Sequence, residues 1–167
     1  MAWALGRWIG ISPLEEIQPS FGALIWGVVA TVPLGLGLAW MLTTSWSPIR
    51  RLVALVTEQI GPALAGCSVA QLALLAVAAG VSEEVLFRGV VQTGLARAVP
   101  AGLALIMAST AFGLVHFASR AYAVVAGVIG VYLGTLLLVQ GSLVSPIITH
   151  ALYDFVALLC VGRRQRA

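Results

Sequence analysis

The chain has 167 residues, of which 60% are hydrophobic and 9% charged, with a mean hydropathy of +1.04 and a formal net charge of +3. A soluble domain carries about a quarter charged residues, so the composition excludes one and points to an integral membrane protein. No basic patch accompanies a soluble fold, so nucleic acid is not an expected partner; the positive charge reflects topology and anionic lipid headgroups instead.

In chain order, residues 1–20, with Trp3, Trp8, Pro13 and Pro19, read as an interfacial lead-in whose tryptophans sit at headgroup level. About 20 apolar residues in a helix cross the hydrocarbon core, and such stretches are expected at 21–42, 69–93, 102–118, 122–139 and 143–161. The first is read as a retained span and not a signal peptide: its apolar run is too long, no small-residue cleavage site follows it, and Glu15 and Glu16 precede it. Between the first two, residues 47–66 set Leu52, Leu55, Val56 and Ile60 at helical spacing opposite Arg51 and Glu58. That pattern predicts a short amphipathic helix on the cytoplasmic surface. In the fourth stretch, Ala126, Gly130 and Gly134 form a small-residue stripe expected to serve packing. The expected fold class is all-α, a polytopic transmembrane helix bundle of five spans plus the amphipathic helix. Residues 1–66 are its N-terminal part and residues 67–167 its core.

All nine basic residues are arginine. A cytoplasmic C-terminus with Arg163, Arg164 and Arg166 puts Arg50, Arg51 and Arg120 inside too, leaving Arg7 and Arg97 outside. Cys67 and Cys160 then fall on the reducing side, and without CxxC spacing they give no metal or disulfide signal. All-arginine usage, small size and the lack of a targeting sequence lead us to expect a bacterial plasma-membrane protein.

Within the spans stand Glu83, Glu84, Arg88, His116, His150 and Asp154. Each intramembrane ionisable group costs about 2.5 to 3.5 kcal/mol on insertion scales, so this set needs a shared reason. Glu84 and His116 are equally far in sequence from Pro100, where the second and third spans turn, so they reach the same depth. Asp154 comes to within a few ångströms of that depth, whereas His150 is expected about 6 Å shallower than Asp154 on the same helix face, the outlier of the cluster. Glu84 and Arg88, four residues apart, can pair; Glu83, rotated by about 100°, cannot share the arginine equally. One carboxylate is thus expected to be held and the other free to face the histidines.

A carboxylate removed from water becomes a stronger base, as general-base catalysis requires. Two histidines and a carboxylate can instead hold a metal, zinc being suited to such donors. Either arrangement can activate water for attack on an amide. Against these stand bland readings: a buried ion pair fixing register for Glu83, Glu84 and Arg88, hydrogen-bonded packing for each histidine, core packing for Phe112 and a local pairing for Asp154. Co-location at one depth argues against taking them separately.

The residues Glu83-Glu84-Val85-Leu86-Phe87-Arg88, Phe112 to His116, and His150 to Asp154 resemble, in order, the EExxxR, FxxxH and HxxxN/D motifs of the CPBP family. These are intramembrane peptidases that include the type II CAAX prenyl endopeptidases and the Abi, bacteriocin-processing proteins. The resemblance covers residues 71 to about 160 and implies that Glu83 is the catalytic carboxylate and that His116 helps it activate water. Glu84 and Arg88 would support the site; His150 and Asp154 would complete it. As metal ligands the resemblance offers Glu83, His116, His150 and Asp154, with Zn2+ as the ion; in its other form, a metal-free glutamate peptidase, His150 and Asp154 would stabilise the oxyanion. Asparagine at the last position can donate to an oxyanion, but an ionised aspartate only accepts. Asp154 therefore leans toward metal ligation or toward orienting His150. The implied substrate is a membrane-associated or hydrophobic peptide. The alternatives are a non-catalytic immunity or scaffold protein of the same family, and a small proton-coupled carrier, which the lack of an inverted repeat disfavours.

Overall fold

The computed structural model describes Gly6, residues 10–12 and residues 15–164. Trp3, Arg7, Trp8, Pro13 and Arg166 lie outside the described residues. All regular structure among those described is helical: α1 (Phe21–Val29), α2 (Thr31–Thr43), α3 (Ser47–Leu64), α4 (Val69–Glu84), a π-helical segment (Val85–Gln92), α5 (Thr93–Leu95), α6 (Ala101–Val115), α7 (Arg120–Gln140) and α8 (Val144–Arg164). Three of these helices, α1, α4 and α7, start where a serine side chain satisfies an orphan amide group. Ser20 accepts from the amide of Ala23, Ser119 from that of Tyr122, and Ser68 forms a capping box with Gln71. Helix α7 stops at Gly141, whose φ of +62° is a left-handed conformation that glycine adopts without strain.

The segments Phe21–Thr43, Val69–Leu95, Arg120–Gln140 and Val144–Arg164 are long and apolar enough to cross a membrane. Large apolar side chains such as Leu24, Trp26, Leu36, Leu74, Val128 and Val139 stay exposed on the outside of the bundle. A soluble protein would not tolerate that surface, whereas lipid solvates it. The stretch expected as a span at 102–118 behaves differently. Helix α6 has 15 residues, about 22 Å of rise, short of the hydrocarbon thickness. It ends because His116 leaves helical geometry at φ −92°, ψ 21°, and Ser119 immediately caps α7.

The bundle closes around α8, which packs against α1, α2, α3, α4 and α7. Small residues let the backbones approach: a Cβ on Gly27 would come 2.7 Å from Ile148, and one on Gly80 would come 2.9 Å from the Ala151 nitrogen. Intramembrane hydroxyls tie the same contacts, Thr149 donating to the Gly27 carbonyl at 2.9 Å and Ser145 to that of Ala23 at 3.0 Å. Residues 15–20 dock on the α7–α8 turn, where Ser142 donates to the Gln18 carbonyl at 2.8 Å and the Leu143 amide donates to that of Glu16 at 2.8 Å.

Two expectations change in detail. Helix α3 is amphipathic, but it buries Ile49, Leu52, Gly61 and Leu64 against the bundle, while Ile60 is 38% exposed. It is thereby one wall of a cavity in the bundle. The small-residue stripe of α7 does more than pack. Arg88 donates to the Gly130 carbonyl at 2.9 Å and Gln92 to the Gly134 carbonyl at 3.1 Å, matching two side chains four residues apart with two glycines four residues apart.

The α6–α7 hairpin rests on a close approach to backbone: a Cβ on Gly113 would sit 2.5 Å from the Ala123 carbonyl oxygen, which cannot yield cheaply. Gly113→Ala should lower stability by about 1–3 kcal/mol, the range for overpacking. Gly37→Ala, where nothing lies within 4 Å, should be neutral or slightly stabilising. Thermal unfolding in detergent checks the pair.

Candidate active site

Four elements deliver the polar residues. Helix α4 brings Glu83 and Glu84, the π-helical segment Arg88, the end of α6 His116, and α8 His150 and Asp154. Glu84 is fully buried, and its Oε1 accepts from Arg88 Nη1 at 3.0 Å and from His150 Nδ1 at 2.7 Å. The i, i+4 spacing read from sequence thus gives the expected pair. Arg88, 1% exposed, spends its other arm on Gly130 and lies with its guanidinium carbon 4.6 Å from the centroid of the Phe112 ring, a cation–π contact.

Phe112 is the hub of the aromatic packing. It meets Phe87 edge-on at 5.0 Å, His116 at 4.4 Å and His150 edge-on at 6.0 Å. Its backbone explains the spacing to His116. The His116 amide turns to Leu114, so the Phe112 carbonyl is one of the orphans of a helix C-terminus, and His116 Nδ1 donates to it at 2.8 Å. A histidine four residues after the phenylalanine therefore caps its own helix. A carbonyl only accepts, so Nδ1 carries the proton, which leaves Nε2 to face the site.

Glu83 is the second carboxylate. Its Oε2 is buried and has no hydrogen-bond partner among the described residues. It lies 3.5 Å from Nε2 of His116 and 3.8 Å from Nε2 of His150. The division inferred from the 100° rotation holds: Glu84 is held and Glu83 faces both imidazoles. His150 stands otherwise than expected. It is 4% exposed and central, bonded to Glu84 through Nδ1 and 3.4 Å from Asp154 Oδ2 through Nε2. Counting rise from separate turns overlooked that α4 and α8 touch backbone to side chain at Gly80 and Ala151, which fixes their offset independently of the loops. Asp154 stands one turn beyond His150 on the same helix face.

The expected zinc donors are of the right types, and Nε2 of both histidines is directed toward Glu83. Among the described residues, however, no three histidine, cysteine, aspartate or glutamate side chains make a group that could hold a metal ion. The arrangement is a chain of pairs, Arg88–Glu84–His150–Asp154, with Glu83 between the two histidines.

Glu83, His116, His150 and Asp154 open on a cavity of about 290 Å³ walled by α2, α3, α7 and α8, with apolar residues such as Leu38, Leu52, Val56 and Leu158. Two residues escaped sequence reasoning. Gln92 is uncharged, so the cost of burying charge does not single it out, although it stands in an apolar run four residues after Arg88. Tyr122, in the first turn of α7, is an uncharged residue at the edge of an apolar run, yet its ring stands edge-on to His116 at 6.2 Å in the cavity wall.

Buried paired charges, an apolar cavity reaching them and helices fit for a bilayer agree with what comparison of the chain with known families finds. The family model described as type II CAAX prenyl endopeptidase Rce1-like matches residues 65–156, more than half of the chain, including Glu83, Glu84, Arg88, His116, His150 and Asp154. No curated protein and no solved structure gives a significant match. The chain belongs to the Rce1-like family of type II CAAX prenyl endopeptidases.

Proposed function

We propose that the protein is an intramembrane endopeptidase that hydrolyses a peptide bond in a hydrophobic or membrane-associated peptide, with water activated by Glu83 and His116. The observation that carries this reading is Glu83 Oε2, a buried acceptor without a hydrogen-bond partner, facing two imidazole nitrogens at the wall of an apolar cavity. A buried acceptor of this kind is costly unless something is to be bound there.

In this mechanism a water donates one hydrogen bond to Glu83 and is steered by His116. Glu83 removes its proton as the oxygen bonds to the substrate carbonyl carbon, and the carbonyl electron pair moves to oxygen. The resulting tetrahedral intermediate collapses by breaking the C–N bond, and the proton held by Glu83 passes to the leaving nitrogen. Glu84 and Arg88 do not touch the substrate here. They hold His150 and the segment that carries them, and Asp154 keeps His150 oriented. The apolar cavity suits a hydrophobic peptide, and desolvation there strengthens each polar contact.

The roles predict different failures. Glu83→Gln, nearly isosteric, should fold with an unchanged thermal midpoint and lose cleavage of a hydrophobic reporter peptide by at least about 10²-fold, within the range for general-base catalysis. Full activity of that variant would sink the proposal. Arg88→Met leaves Glu84 with one partner fewer and should cost about 3–5 kcal/mol of stability, seen as a lower thermal midpoint. Cleavage should persist in the presence of a chelator. Activity lost to the chelator and restored by zinc would replace this route with one in which Glu83, His116, His150 and Asp154 hold the ion.

A further inference from the structure

Any attack on an amide leaves negative charge on the former carbonyl oxygen, and a peptidase needs a hydrogen-bond donor aimed at it. The polar groups of the site are nearly all committed elsewhere. Arg88 is buried on Glu84 and Gly130. His116 Nδ1 is used by Phe112 and His150 Nδ1 by Glu84, while Nε2 of each faces Glu83. Asp154, as a carboxylate, accepts only and would repel an oxyanion.

The geometry points to Tyr122 as the oxyanion donor of the proposed reaction. The phenol lines the same cavity as Glu83, His116, His150 and Asp154. The ring is held edge-on to His116 at 6.2 Å and 78°, and the backbone is pinned by the Ser119 cap at 3.1 Å. The side chain shares this wall with both Asp154 and Glu83 and lies within electrostatic reach of each. Its hydroxyl makes no hydrogen bond to a described residue, so its proton is available. Two other hydroxyls stand in the wall. Thr57 is shared with the outer cleft lined by Arg50 and Arg164, away from the histidines. Tyr153 adjoins Asp154 on α8 but makes no ring contact with His116. Tyr132 is spent on the Ala30 carbonyl at 2.8 Å.

In the completed step the water proton goes to Glu83, the new C–O bond forms, and the carbonyl electron pair becomes an oxyanion that accepts the Tyr122 O–H hydrogen bond. When the C–N bond breaks, the carbonyl reforms, Tyr122 keeps its proton and the nitrogen takes the proton from Glu83. This inference rests on the peptidase reading and adds to it the group that stabilises the transition state.

The test is Tyr122→Phe, which keeps the ring against His116 and removes only the hydroxyl, assayed in detergent or liposomes with the hydrophobic reporter peptide. We expect kcat to fall by about 10²- to 10³-fold, the loss for one oxyanion donor, with KM and thermal midpoint unchanged. A phosphinic analogue of the same peptide, tetrahedral and anionic at the reacting centre, should lose affinity by a comparable factor, while the peptide itself binds as before. Tyr153→Phe should stay within a few-fold of wild type. Unchanged kcat and unchanged phosphinate affinity in Tyr122→Phe, with Glu83→Gln inactive, would overturn the donor role and leave the Glu83 mechanism standing. Loss confined to Tyr153→Phe would overturn it as well. An active Glu83→Gln enzyme would instead remove the peptidase mechanism on which the inference rests.

Discussion

The constraint on which everything else depends is the burial of Glu84. An ionised carboxylate in so dry a place is several kcal/mol unfavourable unless it is paired, and its partners are Arg88, one turn on, and His150, from across the bundle on α8. Satisfying Arg88 in turn requires the carbonyl of Gly130, and a larger residue there would press on Ser109 and on Arg88 itself. One carboxylate thus fixes three helices relative to one another. The cost of removing its charge from water becomes a requirement for one arrangement of the bundle.

That rigidity is what allows Glu83 to remain unsatisfied. The two carboxylates are neighbours in sequence and opposites in circumstance, one saturated by an ion pair and a histidine, the other presenting a bare oxygen to two imidazole nitrogens. His116 joins the two aspects. By capping the Phe112 carbonyl it ends α6, and by ending there it turns Nε2 toward the site. Helix capping and the geometry of the candidate site are met by the same side chain.

Much of this was legible in the sequence because the bilayer punishes polar groups so heavily. Hydropathy gave the helices, and the cost of charge singled out Glu83, Glu84, Arg88, His116, His150 and Asp154, all of which the fold brings together. The Glu84–Arg88 pair followed from helical spacing alone. What escaped were features without an energetic signature in composition. Gln92 and Tyr122 carry no charge; the early end of α6 depends on one residue's backbone angles; and the depth of His150 depends on a contact between α4 and α8 that no loop length encodes. The cavity wall formed by α3 was missed because an amphipathic pattern reads the same against lipid headgroups as against a neighbouring bundle.

The wide turns at Val85–Gln92 have a consequence for anyone who would rebuild this scaffold. Carbonyl-to-amide bonding shifts by one residue there, and the Thr93 hydroxyl closes on the Arg88 carbonyl at 3.0 Å. Regularising the segment to an ordinary α-helix, the usual first move in idealising a backbone, would change the angle between everything before it and everything after. With Glu83 and Glu84 kept in register with α8, Gln92 would swing away from Gly134; with Gln92 kept, the carboxylates would leave the histidines. A cleaner helix here would be a different protein: the irregularity is the hinge pin between the part of the chain that carries the two carboxylates and the part that holds them still.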